Sequence, residues 1–226
     1  MLSDFLALFF PRFCAACECA LAKGEKVICL QCDYKMAKAG GLTDTNNFVA
    51  KKFFGRVHLQ YAWAYYLFNK RGRIQRLVHR MKYDQMPEIG EFVGQKLGAA
   101  LLRQGIQHEF DVVIPIPLHK SKLKKRGYNQ SEYFGSGISK ALEVPLYAGA
   151  VVRTVNTASQ TKKSRLARWK NVDSIFDVKD MAHVRDKHVL LVDDVITTGS
   201  TIEACALSLQ HAGAASVSVA AMAAAK

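Results

Sequence analysis

The stretch Val189–Thr201, VLLVDDVITTGST, combines residue types that together suit a phosphorylated sugar. Four apolar residues lead into two carboxylates, Asp193 and Asp194, and a loop of small hydroxylated residues, Thr197, Thr198, Gly199, Ser200 and Thr201, runs into a helical pattern. Backbone N–H groups at a helix N-terminus, aided by the helix dipole, bind phosphate, and glycine permits close backbone approach. Two adjacent carboxylates suit the vicinal hydroxyls of a ribose, directly or through hydrated Mg²⁺. A 5-phosphorylated ribose therefore fits the whole stretch better than a bare phosphate. Helix capping would explain Ser200 or Thr201 but not two charges at a buried strand end. The spacing of a Walker-type loop is absent.

A second constellation lies near the start. Five of the six cysteines fall within residues 14–32, as Cys14-x-x-Cys17 and Cys29-x-x-Cys32 with Cys19 between them. Two knuckles of this spacing complete a closed tetrahedral site for structural zinc, and Cys19 can substitute for Cys17. Gly24 supplies a turn for the connecting hairpin. The start, MLSDFLALFFPRFC, is apolar but lacks a basic flank and a small-residue cleavage site, so a packed N-terminal helix is expected rather than a signal peptide. That favours a reducing, cytoplasmic setting, and zinc over disulfides. No apolar run approaches the roughly 20 residues of a membrane span, so no membrane insertion is expected. Cys205 reads as a small buried hydrophobe.

The 226 residues carry a net charge of +13. Its distribution is uneven: residues 45–83 hold nine Lys or Arg and no acid, and residues 144–172 are again acid-free. Such segments suit polyanions, either phosphorylated metabolites or nucleic acid. In the first segment Tyr61, Trp63, Tyr65, Tyr66 and Phe68 alternate with smaller residues. Bases of a single strand could stack there, or the aromatics could belong to the core of a strand.

The elements that must hold these groups are legible from periodicity. Residues 1–40 read as N-terminal helix and zinc ribbon, 41–54 as a polar linker, and 55–226 as the main domain. Leu59–Phe68 reads as a strand, and Ile74, Leu77, Val78 and Met81 repeat at helical spacing. Pro87 opens another helix. Strand-like Asp111–Ile116, a helix over Gln130–Leu142, an extended stretch over Leu146–Val155, the apolar run Val189–Val192, a helix from Ile202 and a last strand from Ser216 follow. This alternation predicts an α/β fold, an open parallel sheet with helices on both faces, whose ligands lie beyond the carboxyl ends of the strands. Asp193 and Asp194 are expected to leave the sheet at that mouth.

The same residues carry a family resemblance. VLLVDDVITTGST resembles the phosphoribosyl pyrophosphate (PRPP) motif of type I phosphoribosyltransferases. PIPLHKSKLKKRGYNQSE (115–132), HRMKYDQ (79–85) and SQTKKSRLARWKNV (159–172) resemble segments of the ComF family of competence-associated proteins, which carry that fold behind a four-cysteine ribbon. The resemblance spans essentially the whole chain. It implies Asp193 and Asp194 as ribose contacts, residues 197–201 as the 5-phosphate cradle, and Mg²⁺ accompanying PRPP. Thr197 stands where several members carry a third acid, as in orotate-type variants, so proton transfer to a purine is not implied there. It further implies a pyrophosphate-binding turn using the amides of Ile116, Leu118, His119 and Lys120, with Arg126 adding charge. A lid over 156–172 would deliver Arg165 and Arg168. The expected function is action on PRPP during uptake and processing of single-stranded DNA, with DNA-uptake or helicase proteins as possible partners. A metabolic transferase with an unidentified small acceptor is the alternative.

Overall fold

The computed structural model describes residues 11–154 and 175–226. The expected N-terminal helix and the lid residues Arg165 and Arg168 lie outside them.

Four parallel strands form the central sheet in the order β1 (Ala62–Phe68), β6 (Ser216–Ala225), β5 (His188–Ile196), β2 (Val112–Pro115). The last strand in sequence thus lies inside the sheet. Alternation divides the side chains between two apolar clusters. Val113, Leu190, Val192, Ala220 and Met222 face helices α2 (Arg73–Tyr83), α3 (Glu88–Leu102) and α5 (Gln130–Leu142), and Val112, Ile114, Leu191, Val219 and Ala221 face helix α6 (Ser200–His211). Both faces are covered, which is why β5 could be recognised as an unbroken apolar run.

The periodic positions Ile74, Leu77, Val78 and Met81 are all buried, and α5 begins and ends where its pattern placed it. Helices α3 and α5 approach so closely that a Cβ on Gly94 would lie 2.1 Å from the Phe134 carbonyl oxygen, and one on Gly137 2.1 Å from that of Glu91. Only glycine allows this contact, and it fixes the N-terminal end of α5 beside the sheet mouth.

Two expectations are corrected. Asp193 and Asp194 do not leave the sheet: β5 continues through them to Ile196, still paired with β6. The mouth arises because the other neighbour, β2, ends at Pro115 opposite Val192. The stretch after Leu146 adds no full strand to the main sheet. Leu146 makes a single bridge to Val113, and Val151–Arg153 (β3) pairs antiparallel with Phe176–Val178 (β4) in a separate ribbon. Beyond the turn after β2, KSKLKKR forms a short helix that the sequence reading did not assign, α4 (Lys120–Arg126).

The segment read as a linker is packed. Buried Asn47 donates from Nδ2 to the carbonyls of Gly41, Asp44 and Ala62, at 3.3, 2.7 and 2.9 Å, and its Oδ1 accepts from the N–H groups of Val49 and Ala50. Its polar residues bond to their own backbone, while Val49 and Phe53 are buried in the α6-side cluster. Just before it, the residues around Lys38 bridge antiparallel to β1 at Tyr66.

Candidate functional site

At the carboxyl end of β5 two concavities meet. A recess of about 40 Å³ is lined by residues 195–202 with Asp193. A cleft of about 230 Å³ is lined by Asp193, Asp194, Ser131, Lys82, Arg126 and Arg153, together with the turn Ile116–Leu118, Lys122, Val195 and Thr201. Asp193, Val195 and Thr201 line both. A ligand could therefore occupy the small recess and the basic cleft while passing directly over the carboxylates.

The recess is built from the loop entering α6. Gly199 stands before the first helical residue with φ +78°, and a Cβ there would meet the Phe53 ring at 2.7 Å. Both facts demand glycine. Arg56 clasps the loop from behind: its Nη1 donates to the carbonyls of Thr198 (2.8 Å) and Lys52 (2.9 Å), and its Nε to Glu203 Oε2 (3.0 Å). Thr198 and Ser200 exchange a hydroxyl hydrogen bond at 3.1 Å. Thr197, Thr198 and Ser200 are exposed. Neither Phe53 nor Arg56 was legible as part of the site, because both come from the presumed linker and its edge.

The two carboxylates have different surroundings. Asp194, 9% exposed, pairs with Lys82 Nζ at 2.7 Å. Asp193 Oδ1 accepts from Ser131 Oγ at 2.9 Å and from the Asp194 N–H at 2.8 Å. Burial, reinforced by the Asp194 charge, pushes the Asp193 carboxyl up to about 7 despite these donors. Arg153, from β3, is itself held below its ordinary value by burial, while Asp193 acts in the opposite direction. Lys82, Ser131 and Arg153 were missed as site residues. Lys82 and Arg153 did lie in acid-free segments, and Lys82 and Ser131 within the segments 79–85 and 115–132 that carry the resemblance, but none was singled out.

The turn after β2 only partly matches expectation. Ile116 is removed from the anion-binding set, because its N–H donates to the Val192 carbonyl at 2.9 Å as the last rung of the β2–β5 ladder. Its own carbonyl accepts from Asn129 Nδ2 at 3.0 Å, which ties β2 to the start of α5. Leu118 lines the cleft. His119 caps α4, its Nδ1 accepting the Ser121 N–H at 3.3 Å and sharing a 2.8 Å hydrogen bond with Ser121 Oγ. Lys120 is exposed and does not line the cleft, whereas Lys122 and Arg126 do.

Near the start of the chain, Cys14, Cys17, Cys29 and Cys32 place their sulfurs within 4.8 Å of one another. Cys17 Sγ and Cys29 Sγ are 3.8 Å apart. That equals the edge, about 3.8 Å, of a tetrahedron with metal–sulfur bonds of about 2.3 Å. Backbone N–H groups of Cys29 and Ala16 donate to Cys14 Sγ, and that of Cys32 to Cys29 Sγ. Such donors stabilise thiolate, so the four residues fit a metal ion. Cys19 is exposed and stands outside this group of four close sulfurs, which includes Cys17. Cys205 is buried in the α6 core, and all six cysteines are unbridged. No helix among the described residues is long and apolar enough to cross a membrane.

The chain is similar to known proteins in agreement with this geometry. Residues 128–226 match the family described as phosphoribosyl transferase domain. The DNA utilization protein YhgH of Escherichia coli (strain K12) is 33% identical over 147 residues, 63% of each chain. Competence protein F of Haemophilus influenzae is 29% identical over 147 residues, 63% of this chain and 64% of that protein. Competence protein ComFC of Bacillus subtilis is 33% identical over 108 residues, 47% of this chain and 42% of that one. The match thus spans somewhat under two thirds of the length of the first two relatives and under half of the third. A phosphoribosyltransferase-like parallel sheet with its carboxylate pair, a four-cysteine cluster in front of it and relatives of this kind together make the chain similar to the ComF family.

Proposed function

We propose that the cleft binds PRPP and that the protein acts on it in the uptake and processing of single-stranded DNA. The observation that carries the PRPP reading is the meeting of the recess and the cleft over Asp193 and Asp194. A 5-phosphate in the recess would accept hydrogen bonds from Thr198, Ser200 and the first amides of α6. The ribose hydroxyls would face the two carboxylates, and the pyrophosphate would lie among Lys82, Lys122, Arg126 and Arg153. If turnover occurs, the bond from C1 to the pyrophosphate oxygen breaks and one from C1 to an acceptor nucleophile forms, with the departing charge held by those cations. Mg²⁺ bound with PRPP would neutralise further charge on the leaving group. Loading requires Lys82 to release Asp194, and the adjacent pyrophosphate offers its ammonium a replacement partner. At the cysteine cluster the proposed ion is zinc in a closed, structural site.

The DNA role is supported by the names of the relatives, a DNA utilization protein and two competence proteins, and by the net charge of +13. The alternative, a metabolic phosphoribosyltransferase without a DNA role, is supported by the same cleft. Calorimetry with PRPP and Mg²⁺, before and after addition of single-stranded DNA, separates the two. PRPP binding that disappears in Asp193→Asn and Asp194→Asn, with DNA binding retained in both, is expected. No heat with PRPP defeats the ligand assignment, and PRPP binding without DNA affinity favours the metabolic alternative.

A further inference from the structure

We infer that Ser131 is a positioning residue that locks the Asp193 carboxylate in one rotation, so that the site distinguishes a ribose phosphate from a bare phosphate. This deepens the PRPP reading and rests on it for the identity of the sugar.

The two aspartates meet the cleft in different ways. Asp194 is engaged at Oδ2 by Lys82 Nζ at 2.7 Å, a cation that the ligand has to displace. Asp193 is held from behind instead. Among the described residues both of its donors, Ser131 Oγ at 2.9 Å and the Asp194 N–H at 2.8 Å, converge on Oδ1. Two donors on one oxygen leave Oδ2 as the free acceptor of a group that lines both the recess and the cleft.

Ser131 is itself placed by a circuit of hydrogen bonds. It is 3% exposed and is the second residue of α5, whose N-cap is Asn129. Asn129, 8% exposed, accepts the Ser131 N–H on Oδ1 at 3.2 Å and donates from Nδ2 to the Ile116 carbonyl at 3.0 Å. The Ile116 N–H donates in turn to the carbonyl of Val192, the residue before Asp193. The bonds thus run from β5 to the end of β2, on to the start of α5, and back to β5 at Asp193. Inside a helix a serine hydroxyl can fold back on the carbonyl four residues earlier. For Ser131 that residue is Gly127, which lies outside α5, and the hydroxyl reaches across to the carboxylate.

A carboxylate free to rotate loses that freedom when a hydroxyl binds, whereas a locked one gives the same hydrogen bond without the ordering cost. A bare phosphate held by the recess has no hydroxyl to offer and gains nothing from the lock. Ser131 therefore acts on the sugar through Asp193. A serine that only supported the fold would affect sugar phosphate and phosphate alike.

The test is calorimetry of the full chain with ribose 5-phosphate and, separately, inorganic phosphate. Ser131→Ala is expected to weaken ribose 5-phosphate about tenfold and leave inorganic phosphate unchanged, and Ser131→Thr, which keeps the hydroxyl, to restore most of the loss. In an Asp193→Ala background, Ser131→Ala should change neither ligand further, because the serine works only through that carboxylate. Unchanged ribose 5-phosphate affinity in Ser131→Ala overturns the inference, as does an equal loss for both ligands or a loss that persists without the Asp193 carboxylate. If the extra methyl of Ser131→Thr is not tolerated, the Asp193→Ala background still decides. Wild type that binds ribose 5-phosphate no more tightly than inorganic phosphate removes the sugar reading itself, before any variant is compared.

Discussion

At the scale of single residues, the chemistry depends on Asp193 being an unfavourable place for charge. A solvated carboxyl titrates near 3.9, whereas burial and the Asp194 charge bring Asp193 up to about 7. The folded protein therefore binds more protons than the unfolded chain between those values. The contribution is fully present below about 4 and is lost as pH rises through about 7. Asp193→Asn keeps the acceptor for Ser131 but removes the buried charge, so denaturant unfolding should show it more stable than wild type by about 1–3 kcal/mol at pH 8, with little difference at pH 4. Equal stability at pH 8 would mean that the ionised carboxylate sits there without penalty. The same proton must leave before hydroxyls or a hydrated cation can use the carboxylate fully, so PRPP affinity should rise with pH through about 7.

At the scale of elements, the loop proposed to hold phosphate needs something behind it. The segment 47–57 provides this: Phe53 lies under Gly199, and Arg56 spans the carbonyls of Lys52 and Thr198 and the carboxylate of Glu203. The arginine is a positioning residue, since it holds the loop's backbone and does not line the recess. Arg56→Ala is expected to weaken PRPP binding about tenfold by calorimetry while costing at most about 1 kcal/mol of stability, as befits a partly exposed ion pair. Arg56→Lys should fail to restore binding, because one ammonium cannot replace a fork that reaches three acceptors. Wild-type affinity in Arg56→Ala would show that the loop holds its shape unaided.

At the scale of the whole molecule, the cysteine cluster is fastened to the sheet domain rather than hung from it. Cys14, Cys29 and Cys32 share a core cluster with Trp63, Tyr66 and Leu97. Asp33 on the six-residue helix α1 (Leu30–Lys35) accepts from Tyr66 Oη at 2.8 Å and pairs with Lys38 and Lys96. Burial alone would raise its carboxyl, but these donors hold it down at about 2. Arg76 donates to the Ala16 carbonyl at 2.9 Å, and Arg80 pairs with Glu18. If the four cysteines hold the proposed zinc, removing it should loosen one wall of the main core. A strong chelator is expected to lower the unfolding temperature by on the order of 10 °C, with recovery on addition of Zn²⁺. An unchanged transition would show that the cluster folds without metal.

Much of this was legible in the order of residues. The strand run before Asp193, the helix period of α2 and α5, the small-residue loop and the two cysteine knuckles are local patterns, each set by the spacing of a few neighbours. Lys82, Ser131, Arg153 and Arg56 were not singled out, although Lys82 and Ser131 fall within the segments 79–85 and 115–132 that carry the resemblance. Each is an unremarkable polar residue in sequence and reaches the site only because a separate helix, strand or packed segment ends there. Likewise, nothing local said that the aspartates stay in their strand, or that the mouth opens because β2 stops at Pro115. The sequence by itself determined which groups can do chemistry. The tertiary structure decided which of them meet, because long-range packing sets where strands end and which distant side chains face the same carboxylates.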